Sequence, residues 1–235
     1  MRFFRVVLTL LVTTARLDAA QAPYHATWWD AASVSAAAGV ALVPVLLALP
    51  KGPPSCAPCD PRSVPGIDQV ALRTFSSGAG TASSLLLAGV VGTAGLASLR
   101  DLPPAQARGN AAVFMNSLAW TEAATQWIKV TVRRNRPILY TAAAAAATGD
   151  RSNQQSFPSG HASIAFAAAT SYLVMADRQH LQHRTRNAIV LYTGAAAVAA
   201  LRVDAGKHFP TDVAGAALLG SGIAWLVATI HPTAP

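Results

Sequence analysis

Three short stretches of this chain hold residue types that handle phosphate. WIKVTVRRNRPILY carries Lys129 and Arg136 seven residues apart, about two helical turns, with Pro137 set to stop the helix that bears them. QSFPSGHASIAF places Pro158, Ser159, Gly160 and His161 where a polar turn runs into an apolar segment. ALRVDAGKHFPTDVAGAALLG contains Arg202, then His208, then Asp212. His208 and Asp212 are i and i+4 across a helix start marked by Pro210 and Thr211, which brings them within hydrogen-bond reach if the turn is helical. A carboxylate on one imidazole nitrogen fixes the tautomer and frees the other as a base or nucleophile. Three cations, a Ser-Gly turn at a helix N-terminus and two histidines are what phosphoryl transfer needs without a metal, since cations and backbone N–H groups can bind the equatorial oxygens.

Each stretch also has a plainer reading. Ser159 or Gly160 can simply cap a helix whose first turn holds His161. Arg133 and Arg134 read as residues that snorkel at a helix end. His25, His180, His183 and His231 match no pattern and read as loop or surface residues.

The elements that must position these groups are helices. Hydrophobic residues make up 52% of the 235 and charged residues only 12%, about half the share usual in soluble domains. Six apolar segments, at 31–49, 78–99, 109–131, 160–176, 187–201 and 213–230, are separated by Pro, Gly and charged breaks. The expected fold is an all-α, compact six-helix bundle, membrane-embedded, with the active site at one end. Several segments fall short of the roughly 20 residues that span a bilayer, and the fifth is only about 15 long. Their richness in Ala, Gly and Ser favours close helix contact. The hexa-alanine run 142–147 falls in a connection.

The ends of the chain add compartment signals. Arg2 and Arg5 ahead of the apolar run Val6–Val12, followed by Ala20-Gln21-Ala22, form the layout of a secretory signal peptide over residues 1–22. A single helical domain over 23–235 follows. Cys56 and Cys59, the only cysteines, are too few for a metal site, and a local structural disulfide is their expected state in an exported protein. The net charge of +8 is scattered among apolar segments rather than laid out as a stripe, so a membrane and a phosphorylated substrate fit better than nucleic acid. With a cleaved signal and six crossings, the loops after the first, third and fifth helices would be cytoplasmic. They hold ten Lys and Arg against five, or seven against five once Lys129, Arg136 and Arg202 are set aside for chemistry, which decides nothing.

The three stretches, in order and spacing, resemble the type 2 phosphatidic acid phosphatase superfamily, whose pattern is K-x6-R-P, P-S-G-H and S-R-x5-H-x3-D. The resemblance covers residues 129–212, with hydropathy alone agreeing before that. It implies a metal-independent phosphatase with no cofactor, acting on a phosphomonoester or diphosphate, lipid-linked or isoprenoid, through a phosphohistidine. His208 would be the nucleophile, Asp212 its orienting partner, and His161 the general acid and then base. Lys129, Arg136, Ser159, Gly160 and Arg202 would hold the phosphoryl group. It also implies a bacterial inner-membrane location with the site facing the periplasm, which conflicts with the count of crossings above unless the first segment does not span. An exported soluble acid phosphatase and a vanadium-dependent haloperoxidase are the alternatives. One position departs from the pattern: Leu201 stands where the family has serine.

Overall fold

The structure is a computed structural model that describes residues 23–233. Among the described residues, six long helices carry the fold: α1 (Trp28–Leu46), α2 (Ser77–Leu99), α3 (Pro104–Val132), α4 (Gly160–Arg178), α5 (Arg184–Asp204) and α6 (Pro210–Ile230). The single helical turn Ala144–Ala147 and four 3-10 turns bring the helical elements above the six expected. No strand forms among the described residues, apart from one isolated bridge between Tyr24 and Thr233. The signal-peptide expectation lies outside the described residues.

Local chemistry sets the helix starts. At α1, Asp30 accepts the Thr27 N–H at 2.8 Å, and at α2, Ser76 Oγ accepts the Ala79 N–H at 3.1 Å, so each satisfies a donor that the first turn leaves open. Pro104 and Pro210 occupy the first turns of α3 and α6, where a missing N–H costs nothing. α5 runs 21 residues rather than about 15. Its apolar stretch is short, but Arg184, Asn187 and Arg202–Asp204 continue the same hydrogen-bonded helix at both ends, and hydropathy does not register them.

Helix α4 is the centre of the bundle, packed against α2, α3, α5 and α6, while α1 lies along α3. Its buried residues are nearly all small, with Tyr172 and Met175 the large exceptions. Small side chains let backbones approach: a Cβ on Gly220 of α6 would run into the carbonyl of Ser163. A core built this way has little apolar bulk per residue, so its cohesion comes from close packing and dispersion.

Helices α1, α2, α5 and α6 are long and apolar enough to cross a membrane. Their outward faces carry large apolar side chains, among them Leu46, Leu85, Leu96, Ile189, Leu218 and Trp225. In contrast, α3 buries Asn110, Asn116, Ser117, Thr121 and Thr125. The alternating helix directions gather the ends of α1, α3 and α5 with the starts of α2, α4 and α6. His231 is not a free loop residue: its Nε2 lies 2.8 Å from Asp30 Oδ1, tying the end of α6 to the start of α1.

Candidate active site

The connection 133–159 folds back on itself at the end where α4 and α6 begin. Helix α3 stops earlier than Pro137 requires, because Arg133 takes the left-handed conformation at φ 52° and caps Val132. Arg136 is then extended at ψ 159°, the region favoured for a residue before proline. Lys129 and Arg136 therefore do not share a helix end as the spacing predicts. Lys129 projects from the last turn of α3, and Arg136 reaches the same place from the loop, fixed by its N–H on the Asn153 carbonyl at 2.8 Å.

At the start of α4 the Lys129 ammonium lies so close that a Cβ on Gly160 would sit 3.2 Å from it. Ser159 occupies the N-cap position without making the capping bond, and its buried hydroxyl has no hydrogen-bond partner among the described residues. Arg136 gives Nη1 to Ser152 Oγ at 3.1 Å, and Arg202 gives Nη1 to Ser83 Oγ at 3.3 Å. The Nε groups of both arginines are buried and unpartnered among the described residues. Buried donors without acceptors are costly, and here they belong to groups clustered around one helix N-terminus.

His208 is 2% exposed, and its Nδ1–H donates to the Ser156 carbonyl at 2.6 Å. The expected hydrogen bond to Asp212 is not the one formed: Nδ1 to Oδ2 is 3.8 Å, too long for a direct bond. Asp212 instead accepts from Ser156 Oγ at 2.5 Å and from the Phe209 N–H at 2.8 Å. Asp212 thus acts on the imidazole through charge and through Ser156, whose carbonyl meets the ring and whose hydroxyl meets the carboxylate. Across the site, His161 Nε2 pairs with Ser84 Oγ of α2 at 3.0 Å.

Electrostatics follow from this crowding. Burial, then Arg136 and Arg202, push His208 down to about 4, against the opposing pull of Asp212. His161 is also pushed down to about 4, by burial and then by Arg202, Lys129 and Arg136. Burial and the neighbouring Arg136 lower Lys129 to about 8. Each perturbation points the same way: positive charge is concentrated in a partly dry space, and an anion placed there would relieve it. His208 is neutral near pH 7, with Nδ1 committed to a carbonyl and no hydrogen bond to Nε2 among the described residues.

Arg134, expected to snorkel, is instead a hub. It donates to Asp212 Oδ1 at 2.5 Å and to Asp68 Oδ2 at 2.7 Å, with both carboxylates fully buried. Its guanidinium also stacks 4.4 Å from the Phe209 ring. Asp68 in turn accepts from the Thr211 N–H at 2.9 Å and from Thr211 Oγ1 at 2.6 Å, anchoring the start of α6. Asp68, Arg134, Ser156, Ser83 and Ser84 were all missed from the sequence. Only Arg134 had a signal there, as a second arginine just ahead of Arg136. Lys207 is exposed, and with Phe75, Ser84 and Arg202 it lines a groove of about 560 Å³ beside the site. Cys56 and Cys59 form a disulfide at this same end, with Asn135 Nδ2 3.2 Å from Cys59 Sγ.

Comparison with known families matches residues 110–235 to the PAP2 superfamily, a span that contains Lys129, Arg136, Ser159, His161, Arg202, His208 and Asp212. No curated protein and no solved structure matches the chain. With more than half of its length in that match, and the matched residues gathered around one helix start, this chain belongs to the PAP2 superfamily.

Proposed function

We propose that the protein is a metal-independent phosphatase that hydrolyses a phosphomonoester or diphosphate on a lipid-linked substrate, through a phosphohistidine at His208. The observation that carries this reading is a buried neutral histidine, held through Nδ1 by the Ser156 carbonyl and set near two arginines, Arg136 and Arg202, whose buried Nε–H groups have no partner among the described residues. Lys129, Arg136, Arg202, Ser159 and the Gly160 amide hold the phosphoryl oxygens. His208 Nε2 attacks phosphorus while His161 gives a proton to the leaving oxygen; water activated by His161 then frees phosphate. Asp212 keeps the imidazole in its attacking tautomer by way of Ser156.

The outward apolar faces of α1, α2, α5 and α6 support a substrate delivered from a bilayer. The disulfide at the site end supports an oxidising compartment, hence a site facing the periplasm. If all six helices cross, that orientation puts Trp28 on the cytoplasmic side, which is incompatible with export and cleavage after Ala22. A C-terminal reporter separates the two: cytoplasmic activity supports the outward site, and periplasmic activity overturns it.

The functional test is a screen of the purified, detergent-dispersed protein against lipid phosphates, isoprenyl diphosphates and soluble monoesters. Expected are turnover in chelator, block by vanadate, and an acid-labile phosphoenzyme lost in His208→Ala. A fully active His208→Ala enzyme would end the proposal. Peroxide-dependent halide oxidation with added vanadate would move the protein to the haloperoxidase alternative.

A further inference from the structure

Helix α2 lies outside the matched region, yet two of its serines reach groups in the site. We propose that Ser83 and Ser84 are positioning residues for the reaction: Ser84 orients His161, and Ser83 holds Arg202. This rests on the phosphatase reading above.

Ser83 Oγ donates to the Gly80 carbonyl at 2.7 Å, and Ser84 Oγ lies 3.4 Å from the same oxygen. A serine hydroxyl has one proton and two lone pairs. With the protons turned back along the helix, as serines do toward the preceding turn, both oxygens face the site as acceptors. Ser83 accepts from Arg202 Nη1 at 3.3 Å; Ser84 Oγ lies 3.0 Å from His161 Nε2, a pair whose direction the histidine tautomer sets, and in the proposed arrangement Ser84 is the acceptor of Nε2–H.

For Arg202, this supplies from another helix the hydroxyl that Leu201 lacks at the neighbouring position. Ser83 is fully buried, and Arg202 Nε has no partner among the described residues, which leaves it open to an anion. For His161, the bond fixes the ring and keeps a proton on Nε2. No hydrogen bond engages Nδ1 among the described residues, which leaves that nitrogen for proton transfer. When the His208–phosphorus bond forms and the phosphorus–oxygen bond breaks, the Nδ1 proton passes to the leaving oxygen. In the second step Nδ1 takes a proton from water as phosphate departs.

A neutral acceptor suits this place. The charged groups facing His161 are Lys129 from α3, Arg136 from the connection and Arg202 from α5, and all three oppose the imidazolium. A carboxylate at position 84 would support that cation but would also repel the phosphate. A hydroxyl supports Nε2–H and adds no charge. His208 follows the same logic, with a carbonyl on its fixed nitrogen.

The test uses the full chain in detergent. In single-turnover bursts, Ser84→Ala should lose roughly tenfold on an alkyl phosphate, whose alkoxide needs the proton, and change little on a nitrophenyl phosphate. Ser84→Thr should restore the alkyl rate. Ser83→Ala should weaken vanadate inhibition roughly tenfold and leave the alkyl-to-aryl ratio unchanged. Nitrogen chemical shifts of labelled histidine, assigned with His161→Asn, should show Nε2–H alone in the wild type and a tautomer mixture in Ser84→Ala. Equal loss on both substrates, an unaltered alkyl rate, or tautomers unchanged by Ser84→Ala would overturn the assignment. If the wild type forms no phosphohistidine, the functional reading fails instead, and the nitrogen shifts still decide whether Ser84 orients the ring.

Discussion

Replacing Arg134 by methionine keeps an unbranched stem and removes the charge that Asp68 and Asp212 share. Both carboxylates are fully buried, and the arginine side chain is 24% exposed. Breaking a buried ion pair by removing one partner costs about 3–5 kcal/mol, because a desolvated charge is left behind. Asp212 keeps its bonds from Ser156 and Phe209, and Asp68 keeps both bonds from Thr211, so the lower end applies, about 3 kcal/mol. For a chain of this size that corresponds to a fall of roughly 6–12 °C in Tm. Thermal unfolding in detergent, followed by tryptophan fluorescence, measures it. Asp68→Asn with Arg134→Met should recover about 1–2 kcal/mol of the loss, since one orphaned charge is gone. Had Arg134 merely snorkelled, its replacement would change stability by less than about 0.5 kcal/mol. A Tm within 2 °C of wild type (roughly that smaller cost), or strict additivity in the double variant, would refute the buried hub.

Other expectations follow from the same structure. Because His208 is held near 4 when folded and sits near 6.5 in an open chain, the unfolded state binds more protons between those values. His161, also held near 4, adds to this, so stability of the ligand-free protein should fall on acidification from about pH 6.5 to 4, and His208→Asn should remove about half of that slope in pH-dependent melting curves. Under the proposed reaction, kcat should show a bell-shaped pH profile, since His208 must be neutral and His161 protonated in the complex, where the bound anion offsets the cations that hold both near 4 in the free protein; a kcat that only rises or only falls across the imidazole range contradicts those roles. Gly220→Ala should cost about 1–3 kcal/mol by forcing α4 and α6 apart, read as a lowered Tm, whereas the same change at exposed Gly39, with nothing near its Cβ, should be harmless.

Helix placement and the order of the site residues were legible in the chain because both are local. Apolar runs end at Pro, Gly and charge, and the expected segments lie within a few residues of α1, α2, α3, α4 and α6. Lys129 to Arg136, Pro158 to His161, and Arg202 to Asp212 carry their spacing in linear form. What linear order cannot hold is which acceptor each donor meets after the helices pack. The spacing of His208 and Asp212 predicts a bond, but the carbonyl of Ser156, 52 residues back in the chain, accepts the imidazole N–H. Arg134 looks like any basic residue at a helix end until folding brings Asp68 and Asp212 to it from opposite directions in the sequence. Ser83 and Ser84 are two small residues in an apolar run, indistinguishable from packing serines, and only the docking of α2 against α4 and α5 turns them toward His161 and Arg202. Covalent spacing determined which chemical groups arrive at one end of the bundle. Packing decided which atoms satisfy one another there, because a buried polar group binds whatever partner the neighbouring helix presents.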